Sequence, residues 1–289
     1  MGWYNTNYMY TKIFLDSGNP QEAKEAKDLL GFLDGQTTNP SLVAKNPHIQ
    51  ELKAKGMLDD QVIWDEYKKV ALAIHEVLPN GSISAEVFSS AETSHDEMIA
   101  KGLELAGWFP GIFVKLPVTH EGLIAARQLV SEGINVNMTL CFSQEQAAAV
   151  HEATLGARPG QVYISPFIGR LDDNGYHGID LIKNILMMYR SWESHVMVLG
   201  ASIRGLEHLF ECFNAGVDIV TVPLAVLKLW SAYGVDKNPK DYILEISERR
   251  PIAYIDMPKQ DWVLYNIKHE LTDKGLEKFV SDWQELFTK

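Results

Sequence analysis

The sequence predicts an α/β chain folded as a single (β/α)8 TIM barrel with an extra C-terminal helical segment. Three observations lead there. Eight short β-rich runs alternate with helical stretches over 289 residues, the pattern of a parallel sheet whose strands are joined by helical crossovers. Polar residues stand at or near the ends of the runs, among them Asp16, Asn39, Thr139 and Ser202, where barrel strands collect their chemistry. The first turn reads Ser17-Gly18-Asn19-Pro20, which cannot supply the glycine-rich dinucleotide loop of an open doubly wound sheet. Residues 1–289 are therefore expected to form one domain, with 233–289 as an extension packed on the barrel.

The first run, Ile13 to Asp16, leads to a helix opened by Asn19-Pro20 and closed by Gly31, with proline just inside its start and glycine just past its end. Gly35 to Asn39 and Ser82 to Val87 are the second and third runs, and Ile112 to Pro117 is the fourth. Gly133 ends the next helix before Ile134 to Thr139, the fifth. Ser143 with Gln146 three residues on reads as a capping box. Val162 to Phe167, Val196 to Ser202 and, after Gly216, Val217 to Val222 complete the set. Residues 233–268 match no motif; Tyr242, Tyr254, Trp262 and Tyr265 within them suit either cover for the barrel or an interface. From Leu271 to Phe287 an amphipathic helix is expected, with Leu276, Phe279, Val280, Trp283 and Phe287 on one side.

Charge narrows the function classes. Twenty-six basic and 38 acidic residues give −12, which disfavours nucleic acid and anionic membranes. A small anion remains acceptable, because a few arginines can bind one phosphate. Cys141 and Cys212 form neither a metal-ligand spacing nor a disulfide framework, so a reducing cytoplasmic setting is expected. No run approaches the roughly 20 apolar residues of a membrane span. Met1 to Tyr10 lacks the basic and apolar regions of a signal peptide. Met1-Gly2 with Thr6 matches a myristoylation pattern only formally, and Asn80-Gly81-Ser82 is a sequon a cytosolic chain does not use. H-E-x-x-H, P-loop and G-x-S-x-G motifs are absent, so neither a metal nor a cofactor is expected. A homo-oligomer, dimer or larger, is compatible with the chain.

Side chains at i and i+2 share a strand face. In the fifth run Ile134, Val136, Met138 and Leu140 form one apolar stripe, which turns Asn135, Asn137 and Thr139 inward. The same division points Asp16, Glu86, Lys115 and Ser165 into the barrel near the C-terminal strand ends. Lys115 lies among Ile112, Phe113, Val114, Leu116 and Pro117. Apolar surroundings strip water from an ammonium and favour the neutral amine, a nucleophile that forms imines with carbonyls. The bland reading is a structural lysine paired with Asp16 or Glu86, although a buried pair is a poor route to stability. Lys228 also has apolar neighbours, but its helical setting suits a snorkelling side chain.

Several segments carry a resemblance. Asp34-Gly35-Gln36-Thr37-Thr38-Asn39-Pro40-Ser41-Leu42 resembles a signature of the transaldolase family. Phe113-Val114-Lys115-Leu116-Pro117, followed by Glu121-Gly122-Leu123, is similar to the family's second signature around its Schiff-base lysine. Gly133 to Leu140, Ser165 to Arg170 and Ala201-Ser202-Ile203-Arg204 continue it in order. The resemblance implies an imine between Lys115 and a ketose C2 carbonyl, with Asp16 moving the C4 hydroxyl proton. Glu86 and Thr139 would manage the water of carbinolamine chemistry. Thr37, Asn39, Asn137, Ser165 and Phe167 would surround the dihydroxyacetone unit, and Arg170, Ser202 and Arg204 would hold the sugar phosphate. Each has a plainer reading: Asn137 or Ser165 as buried core polar groups, Arg170 as a partner of Asp172 or Asp173.

Four functions are compatible with this set. They are a transaldolase acting on phosphorylated sugars, an aldolase releasing dihydroxyacetone, a relative tuned to a sulfosugar, and a non-catalytic sugar-phosphate-binding barrel. Family aldolases tend to carry Tyr where this chain has Phe167, and transaldolases tend to carry Phe, so the resemblance favours transfer in the pentose phosphate pathway over release. Donors would be sedoheptulose 7-phosphate or fructose 6-phosphate, acceptors glyceraldehyde 3-phosphate or erythrose 4-phosphate.

Overall fold

Eight parallel strands pair in chain order and the last closes on the first. They are β1 (Lys12–Asp16), β2 (Gly35–Thr37), β3 (Ser82–Glu86), β4 (Phe113–Pro117), β5 (Asn135–Cys141), β6 (Val162–Pro166), β7 (Val196–Gly200) and β8 (Ile219–Val222). The computed structural model describes residues 11–237, 239–242 and 248–287. The N-terminal segment read above, with its Met1-Gly2 and Thr6 pattern, lies outside them. Several strands stop short of the runs expected: Asn39 and Ser202 leave the ladder and sit in the turns above it, and Phe167 keeps only an isolated parallel bridge to Ala201.

The outer ring begins with α1 (Pro20–Leu30), α2 (Pro40–Ala44), α3 (Pro47–Ala54) and α4 (Asp60–Val77). It continues with α5 (His95–Ala106), α6 (His120–Ser131), α7 (Gln144–Ala153), α8 (Ile168–Asp173) and α9 (Gly178–Trp192). Then come α10 (Leu206–Ala215), α11 (Leu224–Tyr233) and α12 (Glu270–Gln284). The local signals act as expected. Asn19 accepts from the Gln21 N–H at 3.0 Å, Gly31 takes φ 79°, and Ser143 with Gln146 forms a capping box. Among the described residues no helix is long and apolar enough to cross a membrane.

Register sets the interior layers. Lys115 pairs with Glu86 on one side and Asn137 on the other. Two residues below this polar level, aromatic rings fill the barrel: Phe113 stacks on Tyr163 with centroids 4.0 Å apart, and Phe14 meets Tyr163 edge-on. This plug leaves the C-terminal end as the place for a cavity.

One expectation fails in β5. The apolar stripe ending at Leu140 is broken there, because Leu140 takes φ 59° and the register with β6 shifts between Met138 and Cys141. The bulge turns the Leu140 carbonyl toward the Thr272 hydroxyl of α12, which donates to it at 2.9 Å. Gly275 makes the close approach feasible, since a Cβ there would stand 2.6 Å from Leu140 Cδ2.

Residues 248–269 run across the outside of α9 and α7. Asn184 donates to Ile252 O, Gln144 to Ile255 O and Gln146 to Ile267 O. The segment is mostly irregular, with one short turn at Trp262–Leu264, and it covers the helix ring rather than the mouth.

Candidate active site

The strand ends and the turns above them enclose a cavity of about 340 Å³. Lys115 and Asp16 face it from β4 and β1. The Lys115 Nζ lies 2.9 Å from Glu86 Oε2, with side chains only 4% and 1% exposed, and 3.5 Å from the Thr38 carbonyl. Burial raises the Glu86 carboxyl above its ordinary value, and the Lys115 ammonium opposes it. Asp16 keeps one face on the cavity, yet desolvation by the protein packed around it also raises its carboxyl, against the pull of Lys115 and the Thr37 hydrogen bond. Thr37 Oγ1 donates to Asp16 Oδ1 at 2.8 Å. Its single proton thus spent, it accepts from the Thr221 hydroxyl at 2.6 Å.

Beside the lysine, Ser165 donates to Asn137 Oδ1 at 2.7 Å, and Asn137 Nδ2 donates to Ser84 at 3.1 Å. The Thr139 hydroxyl is buried and makes no hydrogen bond to protein among the described residues. Asn39 caps α2 by accepting the Leu42 N–H at 2.9 Å, so its amide NH₂ is the end left for the cavity it lines. Phe167 lines the wall and meets Phe142 edge-on at 5.7 Å.

The rim is basic. Arg170 lies 5.6 Å from the Phe167 ring, and burial, then the neighbouring Arg204, lowers its ordinarily high pKa. Arg204 contacts Asp173 at 2.9 Å. Asp172 is engaged by His208 at 2.8 Å and Arg249 at 2.7 Å. Among the described residues no carboxylate pairs with Arg170, so the plainer reading of that arginine is not met. The two arginines are drawn together because α8 starts tightly against the Arg204 turn. Gly169 donates to the Ser202 carbonyl at 3.1 Å, and a Cβ on Gly169 would stand 2.1 Å from that oxygen. Ser202 itself takes φ 64°. Lys228 is on the outside, paired with Glu25 at 2.6 Å. Among the described residues no three His, Cys, Asp or Glu side chains gather as a metal site requires.

A family model described as Transaldolase/Fructose-6-phosphate aldolase matches residues 13–289. The chain belongs to this family. A "Probable transaldolase" of Caulobacter sp. (strain K31) is 37% identical over 274 residues, covering 94% of this chain and 96% of that protein. Another of the same name from Dehalococcoides mccartyi is 35% identical over 277 residues, covering 95% and 99%. A third, from Bacteroides thetaiotaomicron, is 34% identical over 275 residues, also covering 95% and 99%. The protein is thus an enzyme of the transaldolase type.

Within this transaldolase-type barrel the structure adds residues that sequence reasoning missed. Thr221 lines the cavity, and its alternation with Val220 and Val222 would have disclosed it. Lys278, Phe279 and Asp282 of α12 form part of the wall, beside Ser41 and Lys45 after β2. Asp282 accepts from both Ser41 and Lys278. Nothing local in the tail marks it as part of a cavity.

Proposed function

We propose that the protein transfers a dihydroxyacetone unit from a ketose phosphate to an aldose phosphate through an imine on Lys115. The observation that carries this reading is the buried contact of Lys115 with Glu86, beside Asp16, beneath a rim where Arg170 has no carboxylate partner among the described residues. Donors would be sedoheptulose 7-phosphate or fructose 6-phosphate. Acceptors would be glyceraldehyde 3-phosphate or erythrose 4-phosphate, in the pentose phosphate pathway of a reducing cytoplasm.

Glu86 takes a proton from the Lys115 ammonium, the freed amine attacks the ketose C2, and Glu86 returns the proton to the carbinolamine hydroxyl, which leaves as water and gives a protonated imine. Asp16 takes the proton of the C4 hydroxyl. The C3–C4 bond then breaks, its electron pair moves into the imine to form an enamine, and the aldose phosphate departs. A raised carboxyl suits this proton, because an acceptor too acidic would hold it poorly. The acceptor aldehyde is attacked by the enamine carbon and Asp16 returns the proton to the new hydroxyl. Glu86 and the Thr139 hydroxyl, which has no hydrogen-bond partner among the described residues, would manage the water that leaves and returns. Asn39, Asn137 and Ser165 hold the three-carbon unit with directional hydrogen bonds. Arg170 and Arg204, with Ser202, hold the phosphate; a planar guanidinium fork matches its oxygens. Phe167 offers no proton to the enamine, which favours transfer over release.

Borohydride added with fructose 6-phosphate should fix a reduced adduct on Lys115, located by peptide mass spectrometry. Product analysis with and without erythrose 4-phosphate then separates transfer from release. A label on another lysine, or none, overturns the assignment.

A further inference from the structure

Tyr67 belongs to α4, outside the strand barrel, yet it is fully buried. Its hydroxyl reaches the surroundings of Lys115. Tyr67 Oη accepts the Glu86 backbone N–H at 2.9 Å and lies 2.5 Å from Thr38 Oγ1. Thr38 Oγ1 gives its own proton to the Ser84 carbonyl at 2.8 Å. The proton shared with tyrosine therefore comes from Tyr67, and every direction in the chain is determined.

The location has a cause. The β2–β3 ladder ends at the Thr37–Ser84 pair, where β2 turns into the Asn39-Pro40 start of α2. A buried N–H beyond the last rung needs another partner. Tyr67 supplies it at the level of the lysine. The two residues it ties are those around the Lys115 Nζ, whose neighbours are the Thr38 carbonyl at 3.5 Å and Glu86 Oε2 at 2.9 Å. The phenol ring is held by Trp64 at 5.9 Å and, edge-on, by Trp108 at 5.4 Å.

We propose that Tyr67 is a positioning residue for imine formation, fixing the Thr38 carbonyl and the Glu86 carboxylate so that the Lys115 amine is aimed at the cavity. This rests on Lys115 being the imine-forming lysine. Burial raises the phenol above its ordinary value, so Tyr67 stays a donor across the working range. Glu86 is the titratable group that faces it; Glu86 and Asp16 face Lys115, and Arg204 acts on Asp16.

The test follows borohydride trapping of fructose 6-phosphate on Lys115 as a function of pH, for wild type, Tyr67→Phe and Tyr163→Phe. Tyr163 is a second buried tyrosine, whose hydroxyl meets Ser82 at 3.2 Å, below the lysine level. Tyr67→Phe should slow trapping roughly fivefold, the scale of one hydrogen bond. It should also move the pH midpoint of trapping, because Glu86, the titratable group that Tyr67 ties, is no longer held in place beside the amine. Tyr163→Phe should leave the midpoint in place. A folded Tyr67→Phe with the wild-type rate and midpoint, or equal changes in both variants, overturns the proposal. If Tyr67→Phe does not fold, Thr38→Val should move the midpoint further than Thr38→Ser, which keeps the hydroxyl; equal shifts overturn it. A wild type that traps nothing on Lys115 removes the functional reading, and this proposal with it, whereas normal wild-type trapping with unmoved variants removes this proposal alone.

Discussion

Arg204 holds the carboxylate of Asp173 at 2.9 Å across the rim of the cavity. Both side chains are more than half exposed, at 54% and 57%, so the pair contributes only about 0–1 kcal/mol. If the rim binds a sugar phosphate as proposed, that phosphate would compete with Asp173 for Arg204 but not for Arg170, which has no carboxylate partner among the described residues. Asp173→Asn should therefore lower KM for phosphorylated sugars up to a few fold. Arg204→Ala should raise it by about 1.5–3 kcal/mol, the scale of a charged hydrogen bond, and leave unphosphorylated analogues little changed. Steady-state kinetics on matched substrates decide this; equal losses on both kinds of sugar would make Arg204 structural.

In the proposed mechanism, Phe167 would control the fate of the enamine. A phenol there, in the same wall as Ser165 and Lys115, could hold water and help protonate the carbanion. Phe167→Tyr should raise dihydroxyacetone release without acceptor relative to transfer with one. A wild type that releases as fast as it transfers would make the enzyme an aldolase.

Gly275 is where α12 meets Leu140 and the rim residue Arg170, just before the cavity-lining Lys278. A methyl there would stand 2.6 Å from Leu140 Cδ2 and 3.0 Å from Arg170 Nη1. Alanine gains about 1 kcal/mol of helix propensity, but overpacking a closed contact costs about 1–3 kcal/mol. Because Leu140 is fully buried and cannot retreat, Gly275→Ala should lower the melting temperature and raise KM for phosphorylated substrates. A more stable variant with unchanged KM would show that α12 docks loosely.

Asp16 and Glu86 link stability to pH. Burial raises both carboxyls, and the Lys115 ammonium is the chief opposing influence on each. A carboxyl raised on folding binds its proton more tightly in the folded chain, so its contribution is present below the unfolded pKa of about 4 and is lost as pH rises through the folded value. Lys115→Met removes the opposing cation and raises both further. The variant should lose more stability than wild type between pH 5 and pH 8, measured by thermal melts at each pH. Parallel curves would mean that the ammonium does not govern these carboxyls.

Much of the site was legible because strand alternation is local. Lys115, Asp16, Glu86, Asn137 and Ser165 turn inward by the i, i+2 rule, and the register then sets Lys115 beside Glu86 and Asn137. Leu140 escaped that rule, since a bulge depends on what receives the freed carbonyl, and its receiver is Thr272, far along the chain. Arg170 was ambiguous for a similar reason. Asp172 and Asp173 are its sequence neighbours, but His208, Arg249 and Arg204 take them instead.

The sequence by itself determined the barrel, its strand faces and the inward lysine, because periodicity and capping are set by neighbours within a few residues. Tertiary structure alone decided which groups surround that lysine at bonding distance. The Tyr67 hydroxyl comes from an outer helix to a ladder end, and α12 brings Lys278, Phe279 and Asp282 to a cavity formed by strands far earlier in the chain. Such contacts depend on how helices dock on the closed barrel, and no local pattern encodes the docking.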